Sequence, residues 1–176
     1  MFVVKKLNTL YIHGLDSSPS PEKLQIMEDR GLETYTLHLN YREEDDIYVA
    51  LKRYAVSKQI EFVIGSSMGG FLAYWLAEEL GIPCLLFNPA LNIKILKNKF
   101  PLIESLYCPA RFVVLGAKDD VINPEENINY LRNKNRENLV QKIITCEWLG
   151  HQVDHQTFDE MLGWSLENIN RLVLAK

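Results

Sequence analysis

The chain has few cysteines, no long apolar run and no strong excess of charge of either sign. Its 3 cysteines are Cys84, Cys108 and Cys146, without C-x-x-C spacing, which argues against a disulfide framework and against a zinc cage. The longest uninterrupted apolar run, from Phe71 to Ala77, is far too short to span a membrane. The net charge of −4 lacks the basic excess typical of nucleic-acid binders. These absences predict a protein with neither a membrane nor a nucleic acid as partner.

The composition of the chain is that of a globular protein. Hydrophobic residues make up 47% and charged residues 24% of the sequence, and the length of 176 residues fits a single domain spanning 1–176. The first residues, MFVVKK, place apolar side chains before the charges, the reverse of a secretory signal. We therefore expect a cytoplasmic protein whose cysteines are small buried hydrophobes in a reducing compartment.

Short apolar runs alternate with helical patterns along the chain. The predicted strands are Leu7–Ile12, Leu32–Leu39, Ile60–Ile64, Pro83–Phe87, Arg111–Leu115 and Val140–Trp148. The predicted helices are Pro21–Arg30, Ile47–Ala55, Met68–Leu80, Pro124–Arg132 and a last amphipathic stretch from Phe158 to Val173. This alternation predicts an α/β protein in three layers, a parallel sheet of about six strands with helices on both faces. Because such sheets bind ligands at the carboxyl ends of their strands, the residues after each strand are the candidate site.

A G-x-S-x-G motif follows the third predicted strand. It runs from Gly65 to Gly69 within the sequence GSSMGG and stands between a strand pattern and a helix pattern. In that context it predicts a nucleophile elbow, a sharp turn that exposes the hydroxyl of its central residue, Ser67. Ser66 is the competing serine. The alternative interpretation is a glycine-rich connection without chemistry.

Two further loops supply an acid and a base. The sequence GAKDDVINP follows the fifth strand, and we favour Asp119 over Asp120 as the acid because its position directs the carboxylate inward. The sequence LGHQVDH follows the sixth strand, and we favour His151 over His155 as the base because it lies nearer the strand end. The two histidines also have the spacing of half a metal site, but a third ligand is missing, so we expect no metal.

The first predicted strand is followed by an H-G turn, His13-Gly14-Leu15. Acyl transfer requires two backbone N–H groups that stabilise the oxyanion of a tetrahedral intermediate. We expect these donors to be Leu15, in this turn, and Met68, the residue after Ser67. His13 is predicted to hold the turn rather than to act as the base.

The segments YIHGLDSSP, IGSSMGG, LLFNPA and GAKDDVI resemble the α/β-hydrolase superfamily and, within it, the small YqiA-like bacterial esterases. The resemblance extends from about Leu10 to about His151. It implies a Ser–Asp–His esterase without metal or cofactor, with those roles on Ser67, Asp119 and His151. The histidine loop, LGHQVDH, departs from the glycine-rich form that the resemblance leads us to expect.

The connection between the fourth and fifth strands is too short for the helical lid of larger superfamily members. Only the segment from Asn88 to Cys108 lies there. We expect an open site, or one covered only by the apolar residues of this segment, which are Ile93, Ile95, Leu96, Phe100 and Leu102.

The predicted function is that of a serine hydrolase acting on a small-molecule ester or thioester through an acyl-enzyme on Ser67. An acyltransferase or an amidase would use the same three residues. A different class of function is also open, because a hydrolase fold can be reused as a non-catalytic module that binds proteins.

Overall fold

The computed structural model describes residues 6–43, 46–92, 110–135, 137 and 139–174, which form six strands and five helices. The strands are β1 (Leu7–Ile12), β2 (Leu32–Thr36), β3 (Phe62–Ser66), β4 (Cys84–Phe87), β5 (Arg111–Gly116) and β6 (Gln141–Cys146). The helices are α1 (Pro21–Asp29), α2 (Ile47–Ser57), α3 (Met68–Leu80), α4 (Pro124–Asn133) and α5 (His155–Leu174). No helix in these ranges is long and apolar enough to cross a membrane.

All six strands pair in parallel, in the order β2-β1-β3-β4-β5-β6. This confirms the predicted α/β class and the number of strands. The order reverses between β1 and β3, because the chain leaves β1 toward β2 on one side and leaves β3 toward β4 on the other. At such a reversal the connections diverge and a crevice opens at the carboxyl ends of the two strands.

Helices cover both faces of the sheet, which completes the predicted three layers. On one face, side chains such as Leu10 and Val63 pack with α2, α3 and α4, which contribute Leu51, Leu72 and Leu131. On the other face, Ile64 and Phe112 pack with α1 and α5, among whose buried residues are Met27, Phe158 and Leu162. Because neighbouring residues of a strand point to opposite faces, strands buried on both sides are apolar at nearly every position.

Several element boundaries differ from the prediction. β2 ends at Thr36 rather than Leu39, β3 is Phe62–Ser66 rather than Ile60–Ile64, and β6 is Gln141–Cys146 rather than Val140–Trp148. Leu39 nevertheless lies in the core at 6% exposure, because an extended loop buries alternate apolar residues as a strand does. His38, within the segment predicted as the second strand, is exposed but lies beyond the end of β2.

The last helix begins at His155, three residues before the predicted apolar stripe. Its start is explained by Asp154, whose Oδ1 accepts a hydrogen bond from the backbone N–H of Thr157 at 2.8 Å. Asp154 Oδ2 accepts a second bond from the Thr157 hydroxyl, also at 2.8 Å. A capping carboxylate accepts hydrogen bonds from N–H groups at the helix start that lack a carbonyl partner. The helix can therefore begin directly after Asp154, at His155.

Two of the three cysteines lie in the core as free thiols. Cys84 and Cys146 are both buried, and burial raises the pKa of the Cys84 thiol to about 12, so this thiol stays protonated and unreactive. Cys108 and the apolar residues predicted to cover the site lie outside the described residues.

Candidate functional site

Ser67 lies at the sharp turn between β3 and α3, with φ 54° and ψ −117°. This backbone conformation is strained for a residue with a side chain and costs on the order of 1–3 kcal/mol. Two glycines allow the turn. A Cβ added to Gly65 would lie 2.3 Å from the carbonyl oxygen of Gly69, and a Cβ added to Gly69 would lie 2.2 Å from that of Ile12. The motif therefore forms the tight strand-to-helix turn that its spacing predicts.

The register of the sheet shows how the later loops reach this turn. Ser66, Phe87, Val114 and Ile144 form one row across β3, β4, β5 and β6. β5 and β6 then continue for two more residues, to Gly116 and Cys146, and so rise about 7 Å above the row. Because β6 is the third strand from β3, about 14 Å away, its loop must cross over β5 and β4 to approach Ser67.

Three predicted side chains meet above the sheet. His151 Nε2 lies 3.1 Å from Ser67 Oγ, and His151 Nδ1 lies 2.9 Å from Asp119 Oδ2 and 3.0 Å from Asp119 Oδ1. A carboxylate only accepts hydrogen bonds, so Nδ1 carries the imidazole proton. Nε2 is then free to accept a hydrogen bond from the serine hydroxyl.

The carboxylate of Asp119 is fixed by its own loop. Its Oδ1 accepts hydrogen bonds from the backbone N–H groups of Val121 at 2.9 Å and Ile122 at 2.8 Å. The Asp119 side chain is only 1% exposed, whereas that of His151 is 15% exposed. The acid is thus shut off from solvent, while the imidazole lies at the edge of the open surface.

The competing residues lie elsewhere. Asp120 is exposed beside Asp119, and His155 is exposed at the first position of α5. Ser66 is the last residue of β3. Within the described ranges, no three His, Cys, Asp or Glu side chains are grouped as metal ligands would be.

One expected oxyanion donor, Met68, directly follows the serine, and the turn that carries the other, Leu15, packs against it. Met68 is the first residue of α3, so its N–H is one of the helical donors without an intrahelical carbonyl partner. A Cβ added to Gly14 would lie 3.4 Å from Ser67 Cβ, which places the turn after β1 directly against the serine. Leu15 follows that glycine, and its side chain is 41% exposed.

His13 supports the turn after β1 from beneath. Its ring is fully buried, its Nδ1–H donates to the carbonyl of Gly14 at 2.8 Å, and its Nε2 accepts from the N–H of Leu39 at 2.9 Å. The Tyr41 hydroxyl donates to the carbonyl of His13 at 2.5 Å. Because both ring nitrogens have backbone partners, neither is available to Ser67.

A small cavity adjoins these loops on the side of α4. It has a volume of about 160 Å³, and its walls include Ala90, Val121, Ile122 and Asn127. Val121 and Ile122 belong to the loop that holds Asp119, and the N–H of Ala90 donates to the carbonyl of Ser67 at 3.0 Å. The cavity is therefore next to the candidate site.

Asn88, a buried polar residue directly after β4, is a further residue of the site that was not predicted. An Asn-Pro pair directly after an apolar strand marks a turn at the functional edge of the sheet, and that signal could have pointed to it. Its side chain contacts the histidine loop, as described below.

Comparison with known proteins gives both a family and a fold. Residues 8–104 match the sequence profile of Uncharacterised protein family (UPF0227). No curated protein matches the chain in sequence.

Solved structures match over nearly the whole chain. An uncharacterised protein from Bacillus cereus ATCC 10987 is 15% identical in sequence, with a TM-score of 0.73. The match covers 97% of this chain but only 62% of that protein, so this chain spans less than two thirds of its length. A protein from Xanthomonas campestris pv. campestris, described as a hydrolase of the alpha/beta superfamily, has 14% identity and a TM-score of 0.72, covering 94% of this chain and 99% of its own. Esterase PE8 has 13% identity and a TM-score of 0.69, covering 92% of each chain. These likenesses establish the α/β-hydrolase fold.

The buried imidazole of His13 predicts a pH dependence of stability. Burial lowers the pKa of His13, and the charge of neighbouring His38 lowers it further, whereas the hydrogen bond to Gly14 raises it. The unfolded chain therefore takes up a proton near the ordinary histidine pKa of ~6.5, whereas the folded chain resists it until lower pH. We expect the contribution of neutral His13 to the free energy of unfolding to be complete above the ordinary histidine pKa. This contribution should decrease as the pH falls from there toward and through the lowered pKa of the folded state.

Urea unfolding of the wild type and of His13→Gln between pH 8 and pH 5 measures this effect. The variant should lose stability less steeply with acidification, because glutamine does not titrate. The exposed His155→Gln serves as the control and should keep the slope of the wild type. Equal slopes in the wild type and His13→Gln would contradict the assignment.

Proposed function

This chain belongs to the UPF0227 family, and we propose that it is a serine hydrolase that cleaves a carboxylic ester or thioester through an acyl-enzyme on Ser67. The observation that carries the proposal is the continuous hydrogen-bonded chain from Asp119 through His151 to Ser67 at a strained elbow. The fold likeness to esterase PE8 and to a hydrolase of the alpha/beta superfamily supports this class of chemistry.

The reaction begins with the hydroxyl of Ser67. A serine hydroxyl is a weak nucleophile near neutral pH, and His151 Nε2 accepts its proton as the oxygen attacks the substrate carbonyl carbon. The imidazolium that forms keeps its Nδ1–H on the buried carboxylate of Asp119, which stabilises the positive charge. The negative charge develops on the substrate oxygen, which accepts hydrogen bonds from the N–H groups of Met68 and Leu15.

The tetrahedral intermediate then collapses. The bond to the leaving alcohol or thiol breaks, and the imidazolium of His151 returns its proton to that group. Water next attacks the acyl-enzyme, giving its proton to the same nitrogen, and the carboxylic acid leaves as Ser67 recovers its hydrogen. The side chain of His151 is 15% exposed, so the imidazole lies near the solvent that supplies this water.

We infer that part of the substrate, the acyl group or the leaving group, extends toward the cavity of about 160 Å³ beside the loop of Asp119. A panel of p-nitrophenyl esters and acyl thioesters of rising chain length would locate the preference. Adding an alcohol or hydroxylamine as competing acceptor would separate hydrolysis from acyl transfer, because transfer diverts the acyl group from water.

The two serines of the motif give the first test of the proposal. Ser67→Ala should abolish both hydrolysis of p-nitrophenyl acetate and labelling by a fluorophosphonate probe, because the hydroxyl hydrogen-bonded to His151 is lost. Ser66→Ala should keep both activities, since Ser66 belongs to β3. Circular dichroism should show that both variants fold. Loss of labelling in Ser66→Ala with retention in Ser67→Ala would contradict the elbow assignment, and a wild type that is never labelled would favour a non-catalytic module.

The neighbouring acids give the second test. Asp119→Asn should lose roughly 10⁴-fold in kcat, because the amide holds the imidazole in the wrong tautomer. The amide oxygen can still accept from Val121 and Ile122, so the loop should keep its structure. Asp120→Asn is the matched control and should keep kcat within a few-fold. Equal losses in the two variants would mean that the acid lies elsewhere.

The two histidines give the third test. His151→Ala should lower kcat by ~10⁴-fold or more, because no group then accepts the serine proton. The ring of His151 lies at the edge of the surface, so imidazole added to the buffer should enter the space left behind and restore part of the activity. His155→Ala should retain full activity and should not respond to imidazole. The assignment is wrong if His155→Ala is the inactive, rescuable variant.

A further inference from the structure

The short segment after β4 contacts the elements that carry all three proposed catalytic residues. The N–H of Ser67 donates to the carbonyl of Phe87 at 3.0 Å, and the N–H of Ala90 donates to the carbonyl of Ser67 at 3.0 Å. The N–H of Asn88 donates to the carbonyl of Val114, on the strand that leads to the acid, at 2.9 Å. The end of β4 is thus bonded to the serine on one side and to β5 on the other.

The side chain of Asn88 extends these contacts to the histidine loop. Its Nδ2 donates to the carbonyl of Gly150 at 2.8 Å and to that of His151 at 3.1 Å. Its Oδ1 accepts from the N–H of Gly116, the last residue of β5, at 2.7 Å. The residue is 1% exposed, so these bonds form away from competing water. One amide group therefore joins the end of β5 to the backbone of the proposed base.

The path of the histidine loop explains why such a bridge is needed. The loop is bonded to the segment that follows β5 as far as Leu149, whose carbonyl accepts from the N–H of Lys118 at 3.0 Å. Beyond that point it crosses over β4 toward Ser67, and the bonds described for the carbonyls of Gly150 and His151 both come from Asn88. Without the bonds from Asn88, the stretch of loop between Leu149 and α5 would shift more easily relative to the serine, and the imidazole with it.

The backbone of Asn88 also suits this residue type. Its φ is 42°, in the left-handed region that asparagine tolerates better than other residues with a Cβ. An aspartate in the same position would accept from Gly116, but its carboxylate would face two carbonyl oxygens without a proton to donate. Both the conformation and the pair of donors therefore favour asparagine.

We propose that Asn88 is the positioning residue for the base: by fixing the carbonyls of Gly150 and His151 to the end of β5, it holds the imidazole in line with Asp119 and Ser67. Asn88 touches neither the reacting atoms nor the hydroxyl of Ser67, so it acts through His151. The inference rests on the proposed hydrolase function and deepens it.

The first experiment compares Asn88→Gly with the wild type in ester hydrolysis. Glycine adopts φ 42° without strain, so the variant removes the amide and leaves the backbone conformation accessible. We expect kcat to fall roughly 10- to 100-fold, because small misplacements of a catalytic group have effects of that size. KM should stay within a few-fold, since Asn88 does not contact the substrate.

Asn8 offers a control near the start of β1, at the amino ends of the strands. Its Nδ2 also donates to two consecutive carbonyls, those of Lys58 at 3.0 Å and Gln59 at 3.3 Å. Asn8→Gly removes the same kind of bridge far from the histidine loop. It should keep kcat, which separates a specific effect on the base from a general loss of stability.

A second measurement does not depend on turnover. The Nδ1 proton of His151 is hydrogen-bonded to the carboxylate of Asp119, which slows its exchange with water. It should therefore give a downfield proton resonance in NMR spectra, and the absence of this resonance in His151→Gln would assign it. This resonance should persist in the wild type and in Asn8→Gly. In Asn88→Gly it should broaden or disappear, because a misplaced imidazole exchanges this proton with water.

The outcomes separate the two proposals. If the wild type hydrolyses esters but Asn88→Gly keeps both kcat and the resonance, the positioning role is wrong and the hydrolase function stands. If the wild type is neither labelled nor active, the proposed function fails, and the resonance alone still decides the role of Asn88.

Asn88→Asp, which is nearly isosteric, should reproduce the losses of Asn88→Gly. Unfolding of both variants would overturn the inference, since Asn88 would then be a general structural residue.

Discussion

The backbone conformation of Ser67 is the constraint on which the rest of the site depends. A φ of 54° at a residue with a side chain persists only because the chain on both sides is held in close contact. Gly65 and Gly69 let β3, α3 and the end of β1 approach to distances that a Cβ would prevent. The same approach brings the turn at Gly14 against the serine, so the nucleophile and the oxyanion donors proposed here have one physical origin.

Much of the fold was predictable because two independent patterns agree along the chain. Buried strands such as β3 and β5 are apolar at almost every position, and glycine or proline marks the adjoining turns. The boundaries of β2 were less predictable, because Leu37 and Leu39 continue the alternation of a strand while belonging to a loop. The start of α5 depends on a capping aspartate, Asp154, which lies outside the apolar pattern that predicted the helix.

Contacts between residues distant in sequence and without a motif could not be predicted. Arg111 begins β5 and pairs with Glu78 of α3 in the core, where its guanidinium also lies 4.4 Å from the ring centre of Tyr74. Composition alone assigns both charges to the surface, and only the pairing of β4 with β5 shows that they meet. The partners of Asn88 were unpredictable for the same reason, since they follow it by 28 to 63 residues, although the Asn-Pro pair marks its position.

The order of the strands explains why the support of the site is placed at β4. The proposed nucleophile, acid and base follow β3, β5 and β6, so β4 lies between the serine and the other two residues. Because β5 and β6 continue two residues beyond the row that contains Ser66 and Phe87, their loops pass above the end of β4.

The residue that follows Phe87 is therefore buried beneath the crossing loop and faces its carbonyl groups. An apolar side chain there would remove the donor from those carbonyls and leave the buried N–H of Gly116 without its acceptor, at a cost of about 1–3 kcal/mol for that N–H. The topology thus requires a short side chain with both donor and acceptor at this position, and asparagine also tolerates the left-handed backbone found there.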